Sequence, residues 1–122
     1  MTIEENYFFD TYAILEIING SKSYALYTSA GVITTKLNLF ELYYALLRMH
    51  GRGKALYYLK QYAQFAVTFN ENDIQEAAHL KMSNKTLSMT DCIGYAVSIR
   101  KGVKFLTGDK EFEKMPGVEF VK

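Results

Sequence analysis

The sequence predicts an α/β fold, a three-layer sandwich in which a mainly parallel central sheet is flanked by helices. Short runs of aromatic and β-branched residues alternate along the chain with longer segments whose apolar residues recur at helical spacing. Strands separated by helices pair in parallel, because each crossover returns the chain to the same end of the sheet. Nothing divides the chain: it has one proline, Pro116, and no Gly/Ser-rich stretch, low-complexity segment or repeat. Residues 1–122 are therefore expected to form one domain.

Residues 7–9, Tyr-Phe-Phe, read as a short buried strand. Over 12–19, Ala13, Ile14, Ile17 and Ile18 recur at helical spacing, and Gly20 closes the helix. Residues 21–30 are ambiguous, with a short helix favoured around 24–27. Gly31-Val32-Ile33-Thr34-Thr35 is rich in β-branched residues and reads as the second strand. Asn38 offers an N-cap with Glu41 three residues on, so a capping box is expected to open a helix over 39–50 that stops at Gly51. Another helix follows over 54–64, a strand over 66–69, and then a helix over 71–82 capped by Asn70. After the loop Ser83-Asn84-Lys85, a helix starts at Ser88 or Thr90 and runs to Lys101, with Gly102 as its C-cap. Residues 103–106 and 118–121 are strands, separated by a helical turn over 110–114.

Hydrophobic residues make up 49% of the chain, enough for a packed core and well outside the disordered class. Fourteen Lys plus Arg stand against thirteen Asp plus Glu, so any nucleic-acid surface must be a local patch. The only cysteine, Cys92, excludes an internal disulfide and a cysteine-built zinc site, and it is expected to face the core. No charged-then-apolar leader opens the sequence, and no apolar run approaches the roughly 20 residues that span a bilayer. A soluble cytoplasmic protein with no membrane contact is expected. Tyr43, Tyr44, Tyr57, Tyr58 and Tyr62 crowd the middle third. Most such residues cover a core, yet a cluster this dense also suits a subunit interface.

Four acids stand where strands end or helices begin: Asp10, Glu41, Asp91 and Asp109. Asp10 directly follows the first strand, and Asp109 follows the strand ending near Leu106 through Thr107 and the turn former Gly108. Ligands of open α/β sheets collect at the carboxyl ends of the strands. Acids gathered there repel one another unless a cation joins them, and an all-oxygen set selects Mg²⁺ or Mn²⁺. Glu41 and Asp91 each have a local explanation as well, the first as a helix cap and the second as an acid favouring a helix dipole. Thr11, Ser88 and Thr107 stand beside the acids as hydroxyls able to orient them.

Phe8-Phe9-Asp10-Thr11, Asn38-Leu39-Phe40-Glu41-Leu42, Leu87-Ser88-Met89-Thr90-Asp91-Cys92-Ile93 and Leu106-Thr107-Gly108-Asp109-Lys110-Glu111-Phe112 resemble, in order and spacing, the four motifs of the PIN domain. The likeness is nearest to VapC-type toxin ribonucleases and runs from about residue 7 to 121. It implies a PIN-like sandwich and a metal-dependent endoribonuclease that leaves a 5′-phosphate, pairs as a homodimer and is inhibited by an antitoxin protein. By position, Asp10, Glu41, Asp91 and Asp109 would be the metal-binding catalytic acids, and Glu111 falls where many members carry a further acid. Two residues depart from the pattern. Tyr12 stands where a small polar residue is common, and Gly108 where a basic one is common.

RNA needs cations to meet its backbone. His50-Gly51-Arg52-Gly53-Lys54 is the densest local candidate, giving Arg52 and Lys54, with Lys36, Arg48, Lys85 and Lys110 as others. Gly51-Arg52-Gly53-Lys54 lacks the spacing of a phosphate-binding loop and follows a helix. His50 and His79 have no ligand spacing and read as surface or helix-packing residues. Other classes weighed are an RNA-processing nuclease without antitoxin, an idle scaffold that binds RNA or protein, and a phosphate-transfer receiver domain. The receiver needs paired acids near the first strand, and Glu4-Glu5 come too early.

Overall fold

The computed structural model describes residues 5–122, so Glu4 of the early acidic pair lies outside them. Strand β1 (Asn6–Phe9) leads into helix α1 (Thr11–Ile18), a 3-10 segment (Lys22–Ser29) and β2 (Gly31–Ile33). Four helices follow without an intervening strand: α2 (Lys36–His50), α3 (Arg52–Ala63), α4 (Glu71–Ser83) and α5 (Met89–Lys101). Then come β3 (Lys104–Thr107), a 3-10 turn (Lys110–Phe112) and β4 (Val118–Phe120).

The four strands form one parallel sheet in the order β2-β1-β3-β4. Alternation along each strand divides the core into two layers. Tyr7, Phe9 and Leu106 pack with Ala13 and Ile14 of α1 and Leu39, Leu42 and Leu46 of α2. Phe8 and Phe105, stacked with ring centroids 5.4 Å apart, pack with Ala77 of α4 and Ile93 and Val97 of α5. Helices thus cover both faces, as expected. From β1 the chain moves to β2 on one side and later returns to β3 on the other. The carboxyl ends of β1 and β3 therefore flank a topological switch point, where open α/β sheets form a crevice.

Two expectations need correction. The Asn38–Glu41 capping box does not form, because α2 starts earlier: Thr35 is its N-cap, and the Thr35 hydroxyl accepts the Asn38 N–H at 3.3 Å. Asn38 is buried inside the first turn. Residues 66–69 make only one bridge, Ala66 to Thr34, because β2 ends at Ile33 and the chain turns into α2. The short helix favoured around 24–27 is present, as a 3-10 segment spanning Lys22–Ser29 with the rings of Tyr24 and Tyr27 buried. Ser88 opens α5 through a reciprocal capping box with Asp91, and Gly102 closes it at a left-handed φ of 68°.

Candidate active site

Asp10 leaves β1 and caps α1, and its backbone N–H is tied to the carbonyl of Leu106 at 3.1 Å. Its side chain is deeply buried and has two partners. The Thr11 N–H donates to Oδ1 at 2.9 Å, and the Thr107 hydroxyl donates to Oδ2 at 2.8 Å. Thr107 also accepts the Asp109 N–H at 3.0 Å, and Asp109 Oδ1 accepts the Glu111 N–H at 3.0 Å. The end of β3 thereby holds both Asp10 and the turn that carries Asp109 and Glu111.

Glu41 joins from α2. The Thr11 hydroxyl donates to Glu41 Oε1 at 2.9 Å and accepts from Asn38 Nδ2 at 3.1 Å. The Thr35 hydroxyl donates to Asn38 Oδ1 at 2.7 Å. Asp91 stands in the first turn of α5, where Oδ2 accepts the Ser88 N–H at 3.0 Å. Sequence reasoning passed over Thr35 and misread Asn38. A Thr three residues before an Asn, just after a strand, is the N-cap signal that marks the earlier helix start.

Burial and neighbouring acids set the electrostatics of these carboxyls. The Asp10 carboxyl is pushed up to about 7, first by burial and next by the charge of Asp91, with a smaller push from Glu41. Its bonds to Thr107 and Thr11 oppose that rise. Asp91 is also raised, by burial first, and the charges of Asp109 and Glu111 add to it against the Ser88 hydrogen bonds. Among the described residues the ion pairs are Arg100–Asp73 and Lys104–Glu119, so none of the five site acids has a basic partner.

These donors suit a hard divalent cation: they are all oxygens, they come from separate elements, and in two of them burial and then neighbouring acids oppose ionisation. Among the described residues no three acids stand close enough to enclose an ion by themselves. Mg²⁺ does not require that, since it keeps several waters and binds through one or two carboxylates plus phosphate oxygens.

The basic candidates divide into two groups, all exposed. Lys110 follows Asp109, Lys36 follows Thr35, and Lys85 lies three residues before Ser88, so each is on a segment that carries the site. Arg48, Arg52 and Lys54 gather at the far end of α2 and the start of α3. Arg48 is seven residues beyond Glu41, about 10 Å along the helix axis, and its guanidinium lies 5.7 Å from the Tyr44 ring centroid. His50 and His79 are exposed, and Cys92 is buried in the core. A cavity of about 550 Å³ between α4 and α5, lined by Asp73, His79, Leu80, Tyr95 and Arg100 among others, contains none of the site acids.

Comparison with known proteins agrees with this architecture. No curated protein matches the chain. A toxin–antitoxin complex from Klebsiella pneumoniae contains a chain superposing with a TM-score of 0.73 at 18% identity, over 93% of this chain and 96% of that one. DNA-bound VapBC from Salmonella typhimurium gives 0.68 at 18% identity, over 98% and 97%. VapBC2 from Rickettsia felis, bound to a fragment of its promoter DNA, gives 0.70 at 16% identity, over 93% and 96%. Similarities at this level of identity concern the fold. The family model of the PIN domain matches residues 7–118, nearly the whole length. The chain belongs to the PIN-domain family.

Proposed function

We propose that this PIN domain is a Mg²⁺- or Mn²⁺-dependent endoribonuclease and the toxin of a toxin–antitoxin pair, acting in the cytoplasm as a homodimer. The observation that carries the chemistry is a chain of acid neighbours, Asp10 within electrostatic reach of Asp91 and Glu41, and Asp91 within reach of Asp109 and Glu111, with no basic partner among the described residues. The nuclease class rests on the family, and the toxin assignment is supported by three structural relatives that are toxin–antitoxin or VapBC complexes. No helix among the described residues is long and apolar enough to cross a membrane.

In this reading one or two carboxylates of the set Asp10, Glu41, Asp91 and Asp109 would hold the cation directly and the others through water, with Glu111 beside them. The ion, when bound, makes a water more acidic and offsets charge gathering on the phosphate. The chain supplies order. Thr107 and the Thr11 N–H fix both oxygens of Asp10, Thr11 fixes Glu41, and Ser88 fixes Asp91. Glu41 or Asp91 takes the proton of the attacking water, and the pH profiles of the two single variants distinguish them. Lys110, Lys36 and Lys85 draw the RNA backbone toward the acids.

The test is cleavage of RNA with Mg²⁺ or Mn²⁺ by wild type, Asp10→Asn and Asp91→Asn, with folding checked by circular dichroism. Loss of cleavage in both folded variants supports the site. Full activity in either removes that acid from it. Inhibition of the purified nuclease by a small protein that co-purifies with it tests the antitoxin half.

A further inference from the structure

Gly108 joins β3 to Asp109, and its φ is not positive, so the backbone itself does not call for glycine. Space does. A Cβ at 108 would fall 2.3 Å from Tyr12 Cε1, 2.7 Å from Tyr12 Cζ and 2.5 Å from the carbonyl oxygen of Val121. The backbone carbonyl of Val121 is not free to withdraw. The Val121 N–H donates to the Thr107 carbonyl at 2.9 Å, and its own carbonyl accepts the Tyr24 hydroxyl at 2.7 Å. Tyr24 is fully buried, and the Tyr12 ring packs near it with centroids 6.5 Å apart. The adjoining strand is held as well, since the Tyr27 hydroxyl donates to Glu119 Oε2 at 2.6 Å.

We propose that Tyr12, Tyr24 and Val121 form a clasp on Gly108 that sets where the Asp109 carboxylate stands, so that Tyr12 is a positioning residue for the acid site. The clasp accounts together for the two departures from the motif pattern: the Tyr12 ring fills the space that a side chain at 108 would need. Its catalytic consequence rests on the nuclease reading above; its structural consequence does not.

Two readouts test it. The first is amide hydrogen exchange of Asp109 and Glu111, whose N–H groups are bonded to the Thr107 hydroxyl and the Asp109 carboxylate. Tyr12→Ala and Gly108→Ala should each speed exchange at these two amides by tenfold or more relative to the β1 amides, while Tyr12→Phe, which keeps the ring, should not. If Tyr12→Ala does not fold, Tyr12→Leu keeps apolar bulk without the ring and is read in the same way. Unchanged protection in the folded variants overturns the clasp.

The second readout is kinetic. Tyr12→Ala should lower kcat about tenfold with little change in KM, yet cost nothing further in an Asp109→Asn background. Independent, multiplying losses would show that Tyr12 does not act through Asp109, and would overturn its positioning role. If the wild type cleaves no RNA, the proposed function falls while the amide exchange still decides the clasp.

Discussion

Two aspartates in this molecule are almost equally buried, and their surroundings are opposite. Asp10 is 4% exposed and Asp73 is 1% exposed, and each accepts a backbone N–H at the start of a helix. Burial pushes both carboxyls up. At Asp73 that push is outweighed by the Arg100 guanidinium, whose Nε lies 2.9 and 3.0 Å from the two oxygens, and by the Asn70 N–H, so the group is held below its ordinary value. At Asp10 the neighbours are other acids, and the group is raised to about 7. The fold thus brings its own cation to the acid that ties α4 to α5. The acid at the switch point is left without one, which is the arrangement expected where a cation must come from outside.

Exchanging an oxygen for an amide at each site should separate the two roles most sharply. Asp10→Asn and Asp91→Asn are expected to lower RNA cleavage by on the order of a hundredfold or more, the scale of losing a charge-stabilising group from an active site. Asp73→Asn should leave the rate within about twofold, because removing a distant structural group does not touch transition-state binding. A strong kinetic effect of Asp73→Asn would erase the distinction.

Stability should respond the other way. Asp73→Ala removes a part-buried charge-assisted pair and a helix cap, and is expected to cost about 2 kcal/mol. The melting temperature would fall by roughly 10 °C. The sign with pH follows from the lowered carboxyl of Asp73. Its contribution is present above about pH 4 and is lost as pH falls through the folded-state value below that. Acid titration of wild type should show a loss that Asp73→Ala lacks.

Without metal, Asp10→Asn should melt a few degrees above wild type at pH 8, since it removes a buried charge that its neighbours oppose. Millimolar Mn²⁺ should stabilise the wild type, by about 2.7 kcal/mol at a hundred times its Kd, and the variant less. Equal melting curves with and without Mn²⁺ would contradict a shared cation site.

The smallest effect concerns the tyrosine cluster, which the structure divides. Tyr43, Tyr58 and Tyr62 pack against the core, whereas Tyr57 and Tyr44 are 58% and 56% exposed. Tyr57→Asp is therefore the substitution that tests a dimer interface without damaging the core. It should change monomer stability by no more than about 0.5 kcal/mol while shifting the mass seen by light scattering from dimer to monomer. A wild type that is monomeric at all concentrations would assign Tyr57 to another contact.

The strands at Tyr7–Phe9 and around Phe105 were legible because short apolar runs stood between helical periods, and the placing of Asp10 and Asp109 followed from acids set just beyond them. What escaped was set by contacts distant in sequence. Asn38 and Glu41 fit a capping box on paper, yet Thr35 caps the helix first and frees both for Thr11, some thirty residues earlier. Residues 66–69 had strand composition but no continuing edge to pair with. Asp73 and Arg100 meet across 27 residues, and the exclusion of a side chain at 108 by Tyr12 has no local signature at all.

The hydrogen bonds leading to Glu41 have a direction. A hydroxyl has one proton to give. The Thr35 hydroxyl spends its proton on Asn38, the Asn38 amide donates to Thr11, and the Thr11 hydroxyl donates to Glu41. Every donor points the same way, so each bond polarises the next and Glu41 Oε1 is fixed as the terminal acceptor. Thr35, which never touches Glu41, therefore helps to set the field at that carboxylate: the turn between β2 and α2 speaks to the site through a one-way relay of three side chains.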